Sequence, residues 1–162
     1  MKRIKYQPQN KDYFSKLLSF AQDLFKICYE LKIKPIAYGS VSYAFYTKDE
    51  TIDINDIDFL VPESSFKKII EKIKENKKFS YEVTGYHSLK IFKDNVKISF
   101  DAIEEYYKNL PHDFVQTKIN DVSFTIVSLK SLKVIYKRGA KTIPSKKEAY
   151  SKKLKKLIVL ED

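Results

Sequence analysis

The scarcity of glycine limits what this chain can fold into more than any other feature of its sequence. Only Gly39, Gly85 and Gly139 occur among 162 residues. A dinucleotide-binding fingerprint needs three clustered glycines, and a P-loop needs two glycines close to a Lys-Ser or Lys-Thr pair. Because the three glycines lie far apart, neither of these phosphate-binding loops can form. The chain therefore belongs to another architecture.

The spacing of apolar residues predicts an α+β fold, a mixed β-sheet flanked by helices that ends in C-terminal helices. We expect the helices on one side of the sheet, because the order of elements fits this arrangement better than a doubly wound sheet. Gly139 is interpreted as the glycine that ends the first C-terminal helix. The predicted helices span about 10–32, 41–46, 64–76, 128–139 and 144–160, and the predicted strands span 35–38, 56–61, 79–84, 88–92, 96–102, 115–119 and 122–127.

The length and the charge distribution predict one domain over residues 1–162, with a core at 10–127 and a basic helical segment at 128–162. The net charge is +10, and residues 128–162 hold 11 Lys and Arg against 3 acidic residues. Such a segment favours a polyanionic partner: nucleic acid, nucleotide phosphates or an acidic protein. A solvated, lysine-rich helix without a partner explains the same charge equally well.

Several features predict a cytoplasmic protein without a membrane partner. Residues 1–10 are polar, and no apolar run approaches the ~18 residues of a membrane span. Cys28 is the one cysteine and falls on the apolar face of the first helix, which predicts a core position. His87 and His112 lack any partner at a metal-ligand spacing, so we expect both at the surface.

A turn at Gly39-Ser40 joins a predicted strand to a predicted short helix. The glycine would let a phosphate approach the backbone, and the helix would present free N–H groups and the positive end of its dipole. The Ser40 hydroxyl can donate a hydrogen bond to a phosphate oxygen. Taken alone, such a turn is more often structural than functional.

Three aspartates form a candidate metal site. Asp56 and Asp58 flank Ile57 on a predicted strand, so that their carboxylates share one face and Ile57 enters the core. Asp101 ends a later strand, where a lone aspartate is most often a surface residue. A hard cation such as Mg²⁺ would relieve the repulsion between neighbouring carboxylates.

In combination these motifs resemble the nucleotidyltransferase superfamily of the DNA polymerase β type. The pattern is an apolar residue before Gly39-Ser40, an Asp-x-Asp after a gap of 15 residues, and a later Asp at a strand end. The compact length resembles minimal members, the antibiotic and toxin-type nucleotidyltransferases. The resemblance covers about residues 35–102, and 128–138 is more loosely similar to the late helix of small members. Lys147-Glu148 stands where many members have Lys-Asp.

The resemblance implies an enzyme that transfers a nucleoside monophosphate from a nucleoside triphosphate such as ATP to a hydroxyl acceptor. The acceptor would be RNA, a protein or a small molecule. Asp56, Asp58 and Asp101 would be the catalytic residues and the ligands of Mg²⁺ or Mn²⁺, with Asp101 also helping to deprotonate the acceptor. The remaining implied residues bind the nucleotide: Gly39, Ser40 and Lys137.

An alternative function is a catalytically inactive, nucleotidyltransferase-like module that binds nucleic acid or a partner protein, as in some toxin–antitoxin pairs. The basic segment at 128–162 is the candidate RNA contact in either case. Tyr81, Tyr86, Tyr106 and Tyr107 are able to stack on bases, although aromatic residues near strands more often belong to the core.

Overall fold

A computed structural model describes residues 1–161 and shows one eight-stranded sheet with six α-helices in that part of the chain. A short 3₁₀ turn, Pro144–Lys146, separates the last two helices. The strands are β1 (Lys2–Ile4), β2 (Ile36–Tyr38), β3 (Asp56–Val61), β4 (Ser80–Thr84), β5 (Ser88–Lys93), β6 (Val96–Ala102), β7 (Phe114–Ile119) and β8 (Val122–Val127). The helices are α1 (Lys11–Glu30), α2 (Ser40–Thr47), α3 (Ser65–Lys74), α4 (Ile103–Tyr106), α5 (Leu129–Thr142) and α6 (Lys147–Ile158).

The sheet has the order β1-β7-β8-β2-β3-β6-β5-β4. Strand β2 runs antiparallel to β3, β3 runs parallel to β6, and β6 runs antiparallel to β5. The sheet is therefore mixed, which confirms the predicted α+β class. Strands β2, β3, β6 and β5 are consecutive neighbours at its centre, and they carry the polar residues discussed below.

Helices cover both faces of this sheet, so the expectation of helices on one side was wrong. Ile57, Phe59 and Val61 of β3 pack in one core cluster with the apolar faces of α1 and α3. Leu60 of the same strand packs in a second cluster with residues of α5 and of α6, among them Leu157. Side chains alternate between faces along a strand, but the order of elements does not tell which face a late helix will cover.

The loop before β3 is held by Asn10, which precedes α1. Its side-chain amide donates to the Ile54 carbonyl at 2.7 Å, and its side-chain oxygen accepts from the Ile54 N–H at 2.9 Å. Asn10 makes no side-chain capping bond to the helix. Asn10 thus holds the long polar loop rather than the end of the helix, and this fixes where β3 begins.

Gly139 does not end a helix, contrary to the prediction. Helix α5 continues past it to Thr142. A Cβ atom at this position would lie 2.4 Å from ring atoms of Tyr150, far inside van der Waals contact. The glycine is needed because α5 and the Tyr150 ring of α6 pack closely, and a contact of this kind leaves no mark in the local sequence.

Strand β1 lies before the predicted start of the core at residue 10. It pairs in parallel with β7, and the Asn120 side chain bonds both backbone groups of Tyr6 just beyond it. Cys28 is buried, as predicted, and both histidines are exposed. Within residues 1–161, none of the helices is both long enough and apolar enough to cross a membrane.

Candidate functional site

The register of the central strands brings the three predicted aspartates to one face of the sheet. Asp56 and Asp58 of β3 lie opposite Lys97 and Ser99 of β6, and Asp101 lies two residues beyond Ser99. Since residues two apart on a strand point the same way, all three carboxylates share this face. All three line the same cleft, as the order of the motifs predicted.

The cleft has a volume of about 660 Å³ and lies between the sheet and the C-terminal helices. Its floor is formed by β2, β3, β6 and β5, and its opposite wall by α5, the 3₁₀ turn and Tyr150 of α6. Four basic side chains line it together with the aspartates: Lys90, Lys97, Arg138 and Lys146. A cleft that combines carboxylates with basic side chains on its floor and on its opposite wall suits a phosphate chain with bound cations.

Gly39 adopts a backbone conformation with φ of 72° and ψ of −141°, which is strongly unfavourable for any residue that carries a Cβ atom. A Cβ atom here would lie 3.2 Å from Oδ2 of Asp58. The glycine is therefore required twice, for the turn into α2 and for the close approach of the turn to the Asp58 carboxylate. The Gly39-Ser40 turn and the Asp-x-Asp motif form one site.

The aspartates stand in an electrostatically unfavourable arrangement. Burial, followed by the charges of Asp56 and Asp101, raises the pKa of Asp58 well above its usual range. Burial also raises the pKa of Asp101, although two hydroxyl hydrogen bonds oppose the change. The negative charge of Asp56 is partly balanced by Lys97, whose Nζ lies 3.3 Å from Asp56 Oδ2. A cation placed between these groups would remove most of the penalty.

Asp101 is held by two buried hydroxyl groups. Tyr38 donates a short hydrogen bond to its Oδ2, and Ser88 donates a short one to its Oδ1. No cluster of three or more Asp, Glu, His or Cys side chains in the described part of the chain is arranged to hold a metal ion as it stands. The two hydroxyl hydrogen bonds orient the Asp101 carboxylate on the cleft floor, beside Asp56 and Asp58.

Comparison with known proteins supports the fold through structure alone. No family model matches the sequence, and no curated protein matches it. The lincosamide antibiotic adenylyltransferase LnuA, solved with lincomycin, superposes with a TM-score of 0.62 at 15% identity over 90% of this chain and 97% of that chain. ANT(2″)-Ia, solved with adenylyl-2″-tobramycin, gives a TM-score of 0.60 at 9% identity, covering 85% of this chain and 86% of that one. The chain has the nucleotidyltransferase fold.

A third similar structure is an antigenic nucleotidyltransferase-like protein from Paracoccidioides brasiliensis. It gives a TM-score of 0.60 at 11% identity and covers 93% of this chain and 77% of that one. Together the three matches extend the nucleotidyltransferase fold well beyond residues 35–102, on which the sequence resemblance rested. The fold includes the C-terminal helices that form the upper wall of the cleft.

Within this nucleotidyltransferase fold, Lys137 is not brought to the cleft. It is exposed on α5, whereas its neighbours Tyr136 and Arg138 line the cleft. The lysine nearest the Gly39-Ser40 turn is Lys153 of α6, whose Nζ donates to Ser40 Oγ at 3.2 Å. Sequence reasoning missed Lys153, because it is one lysine among many in a basic helix.

Lys153 occupies an unusual environment for a lysine. Its ammonium group lies 5.3 Å from the ring centre of Tyr43 and 5.8 Å from that of Tyr136. Burial lowers its pKa, while the nearby Asp56 and Asp58 charges act in the opposite direction. The amphipathic pattern of α6 is the feature of the sequence that could have predicted this position. Lys153 lies four residues before the buried Leu157 and therefore on the inner face of the helix.

Proposed function

We propose that this protein is a metal-dependent nucleotidyltransferase that transfers a nucleoside monophosphate from a nucleoside triphosphate to a hydroxyl acceptor. One observation carries the proposal: Asp56, Asp58 and Asp101 share a sheet face directly beside the Gly39-Ser40 turn. A phosphate-binding turn against a set of carboxylates is what phosphoryl transfer by positioning and charge stabilisation requires.

The chemistry of the donor set fits Mg²⁺ or Mn²⁺. Carboxylate oxygens are the ligands that these hard cations prefer. Asp56, Asp58 and Asp101 would hold the ion in this proposal, with Asp56 and Asp58 as its principal ligands. When bound, the metal supplies positive charge that stabilises the attacking and leaving oxygens. The raised pKa of Asp58 supports this assignment, because burial and then the charges of Asp56 and Asp101 raise it, and a bound cation would favour the charged carboxylate against both.

The triphosphate tail is assigned to the turn and to α6. The Ser40 hydroxyl and the free N–H groups at the start of α2 donate hydrogen bonds to phosphate oxygens. Lys153 already contacts Ser40 and provides the positive charge. Its partial burial strengthens its attraction to a phosphate, since less water screens the pair. Lys153 therefore takes the role that the sequence resemblance assigned to Lys137.

Asp101 is the residue placed to accept the proton of the acceptor hydroxyl. Burial raises its pKa, which makes the carboxylate a better base than an exposed aspartate. Tyr38 and Ser88 keep it oriented toward the cleft. The acceptor oxygen then bonds to the α-phosphorus, the bond to the bridging oxygen breaks, and pyrophosphate leaves.

The decisive experiment compares wild type with Asp58→Asn and with the matched control Asp53→Asn, an exposed aspartate on the preceding loop. Each protein is incubated with Mg²⁺ or Mn²⁺ and each α-labelled nucleoside triphosphate. Total RNA, cell proteins and aminoglycosides serve as acceptors. We expect Asp58→Asn to lose at least about 10²-fold in transfer and Asp53→Asn to retain wild-type transfer.

Two results would contradict the proposal. Transfer that survives in Asp58→Asn would remove the metal assignment. Absence of transfer by wild type with every acceptor class, together with no metal-dependent nucleotide binding by calorimetry, would favour the binding-only module instead.

A further inference from the structure

The three aspartates of the cleft differ in what their carboxylates contact. Asp101 accepts hydrogen bonds from two hydroxyl groups. The Asp58 side chain forms no hydrogen bond or ion pair among residues 1–161. Asp56 has a cationic partner, because Lys97 Nζ lies 3.3 Å from its Oδ2. A positive charge of the protein itself therefore lies at one of the carboxylates assigned to the metal.

The position of Lys97 follows from the register of the central strands. Lys97 of β6 lies directly opposite Asp56 of β3, and both side chains line the cleft. The pair is thus built into the sheet rather than into a loop. The charge of Lys97 also acts on the neighbouring Asp58, where it opposes burial and the charges of Asp56 and Asp101, which raise the pKa of that carboxyl group.

The charges that line the cleft are balanced in number without a metal ion. With Glu105, the three aspartates equal the four basic side chains of the lining. Of these four, Lys97 is the one that forms an ion pair with a lining carboxylate within the described part of the chain. Arg138 donates to a backbone carbonyl instead, and Lys146 Nζ lies 5.8 Å from the ring centre of Tyr150.

The ion pair between Lys97 and Asp56 is of a kind that a metal ion can replace. The two side chains are 34% and 32% exposed, and ion pairs with this much access to water are weak. A divalent cation carries twice the charge of an ammonium group and prefers carboxylate oxygens as ligands. The ammonium group also sits on a flexible four-carbon chain, so it can leave Asp56 without any movement of the sheet.

We propose that Lys97 is a resident counter-ion of the metal-free site, which pairs with Asp56 until a divalent metal ion displaces its ammonium group. The inference rests on the proposed function, since it requires the aspartates to be the metal ligands. Lys97 limits the repulsion between Asp56 and Asp58 while the site holds no metal. The same charge competes with the incoming ion, so Lys97 sets the metal concentration at which the site fills.

The test measures binding of Mn²⁺ alone to the full chain, with the free ion followed by electron paramagnetic resonance. We expect Lys97→Met to lower the Kd for Mn²⁺ about five- to tenfold, because the competing charge is gone. Lys97→Gln is a second neutral variant with the same expectation, and Lys97→Arg, which keeps the charge, should stay close to wild type. The matched control is Lys93→Met, which removes the lysine of an ion pair with Asp23 outside the cleft and should leave the Kd unchanged.

A further variant, Lys146→Met, separates the contact with Asp56 from the general field of the cleft. It removes a positive charge from the opposite wall, and we expect it to lower the Kd by no more than about twofold. Equal tightening by Lys146→Met and Lys97→Met would overturn the inference, as would a Kd for Lys97→Met equal to or weaker than that of wild type. Asp58→Asn distinguishes the two proposals: if it binds Mn²⁺ as wild type does, the metal assignment of the proposed function itself is lost.

Urea unfolding gives a second readout that does not depend on the spectroscopic signal. In EDTA, Lys97→Met should be no more stable than wild type, because Asp56 loses its partner. At one fixed, subsaturating concentration of Mn²⁺ it should gain more stability than wild type does, because it binds the ion more tightly. An equal gain for the two proteins would contradict the proposed competition.

Discussion

Replacing Asp58 by asparagine should stabilise the metal-free protein while abolishing transfer. The asparagine would retain the size and hydrogen-bonding capacity of the side chain but could not carry a charge. In wild type, burial and the carboxylates of Asp56 and Asp101 raise the pKa of Asp58 to about 8. The folded state therefore binds a proton more tightly at this site than the unfolded state does, and ionising it at higher pH opposes folding.

The sign of the pH dependence follows from this linkage. Below about pH 4 the carboxyl group is protonated in both states, so it makes no difference to stability. Between about pH 4 and pH 8 the unfolded chain releases the proton and the folded chain retains it, so the free energy of unfolding falls as pH rises. Each pKa unit is worth about 1.4 kcal/mol. The Asp58 side chain is partly exposed to the cleft, where water reduces the cost of ionising it. We therefore expect ionised Asp58 to lower the free energy of unfolding by about 2 kcal/mol at pH 8.

Urea unfolding in EDTA at pH 3.5, 5 and 8 measures this difference. Asp58→Asn should be about 2 kcal/mol more stable than wild type at pH 8 and nearly equal to it at about pH 3.5, below the usual pKa of an aspartate. Asp53→Asn, an exposed site, should follow wild type at every pH. With saturating Mg²⁺ the order should reverse, because wild type gains stability from the bound ion. A difference that does not change with pH, or a less stable Asp58→Asn at pH 8 in EDTA, would refute the reasoning.

Two further predictions concern the C-terminal helices. Gly139→Ala should lower the free energy of unfolding by about 1–2 kcal/mol. The cost of the steric overlap between the added methyl group and the Tyr150 ring should exceed the free energy gained from the higher helix propensity of alanine. The control is Gly85→Ala, where an added Cβ atom would meet no atom within 4 Å. A Gly139→Ala variant more stable than wild type would contradict this prediction, because it would show that the Tyr150 ring moves aside at little cost. Lys153→Gln should raise the KM or Kd for the nucleoside triphosphate about tenfold, because a charge-assisted hydrogen bond to a phosphate is lost. The control Lys152→Gln, at an exposed position, should leave both values unchanged. Equal values for the two variants would show that Lys153 does not contact the phosphate.

The candidate site was predictable where its residues are close in sequence or share a strand. Alternation along β3 places Asp56 and Asp58 together whatever the rest of the fold does, because a strand repeats every two residues. The motif order also brought Asp101 and the Gly39-Ser40 turn into the same site, and the structure places them there. Lys137 was assigned by a loose likeness of one helix, and the structure leaves it exposed and outside the lining of the cleft.

Contacts between distant elements account for what sequence reasoning missed. Lys153 reaches Ser40 across 113 positions of the chain, and its neighbours Lys152 and Lys155 look the same locally. The hydroxyls of Tyr38 and Ser88 meet at Asp101 because three strands adopt one register. Gly139 was given a local explanation, a helix end, when its reason is the ring of Tyr150 on another helix.

The sequence by itself determined most of the helices and strands, although not β1 or α4. It also determined the exclusion of glycine-rich phosphate loops and the pairing of Asp56 with Asp58, since these depend on local periodicity and backbone chemistry. Only the tertiary structure decided that helices cover both faces of the sheet and that Lys153 rather than Lys137 stands at the turn. The physical reason is that the docking of helices and the register of distant strands depend on the summed packing of many side chains, and no local window of the chain contains that sum.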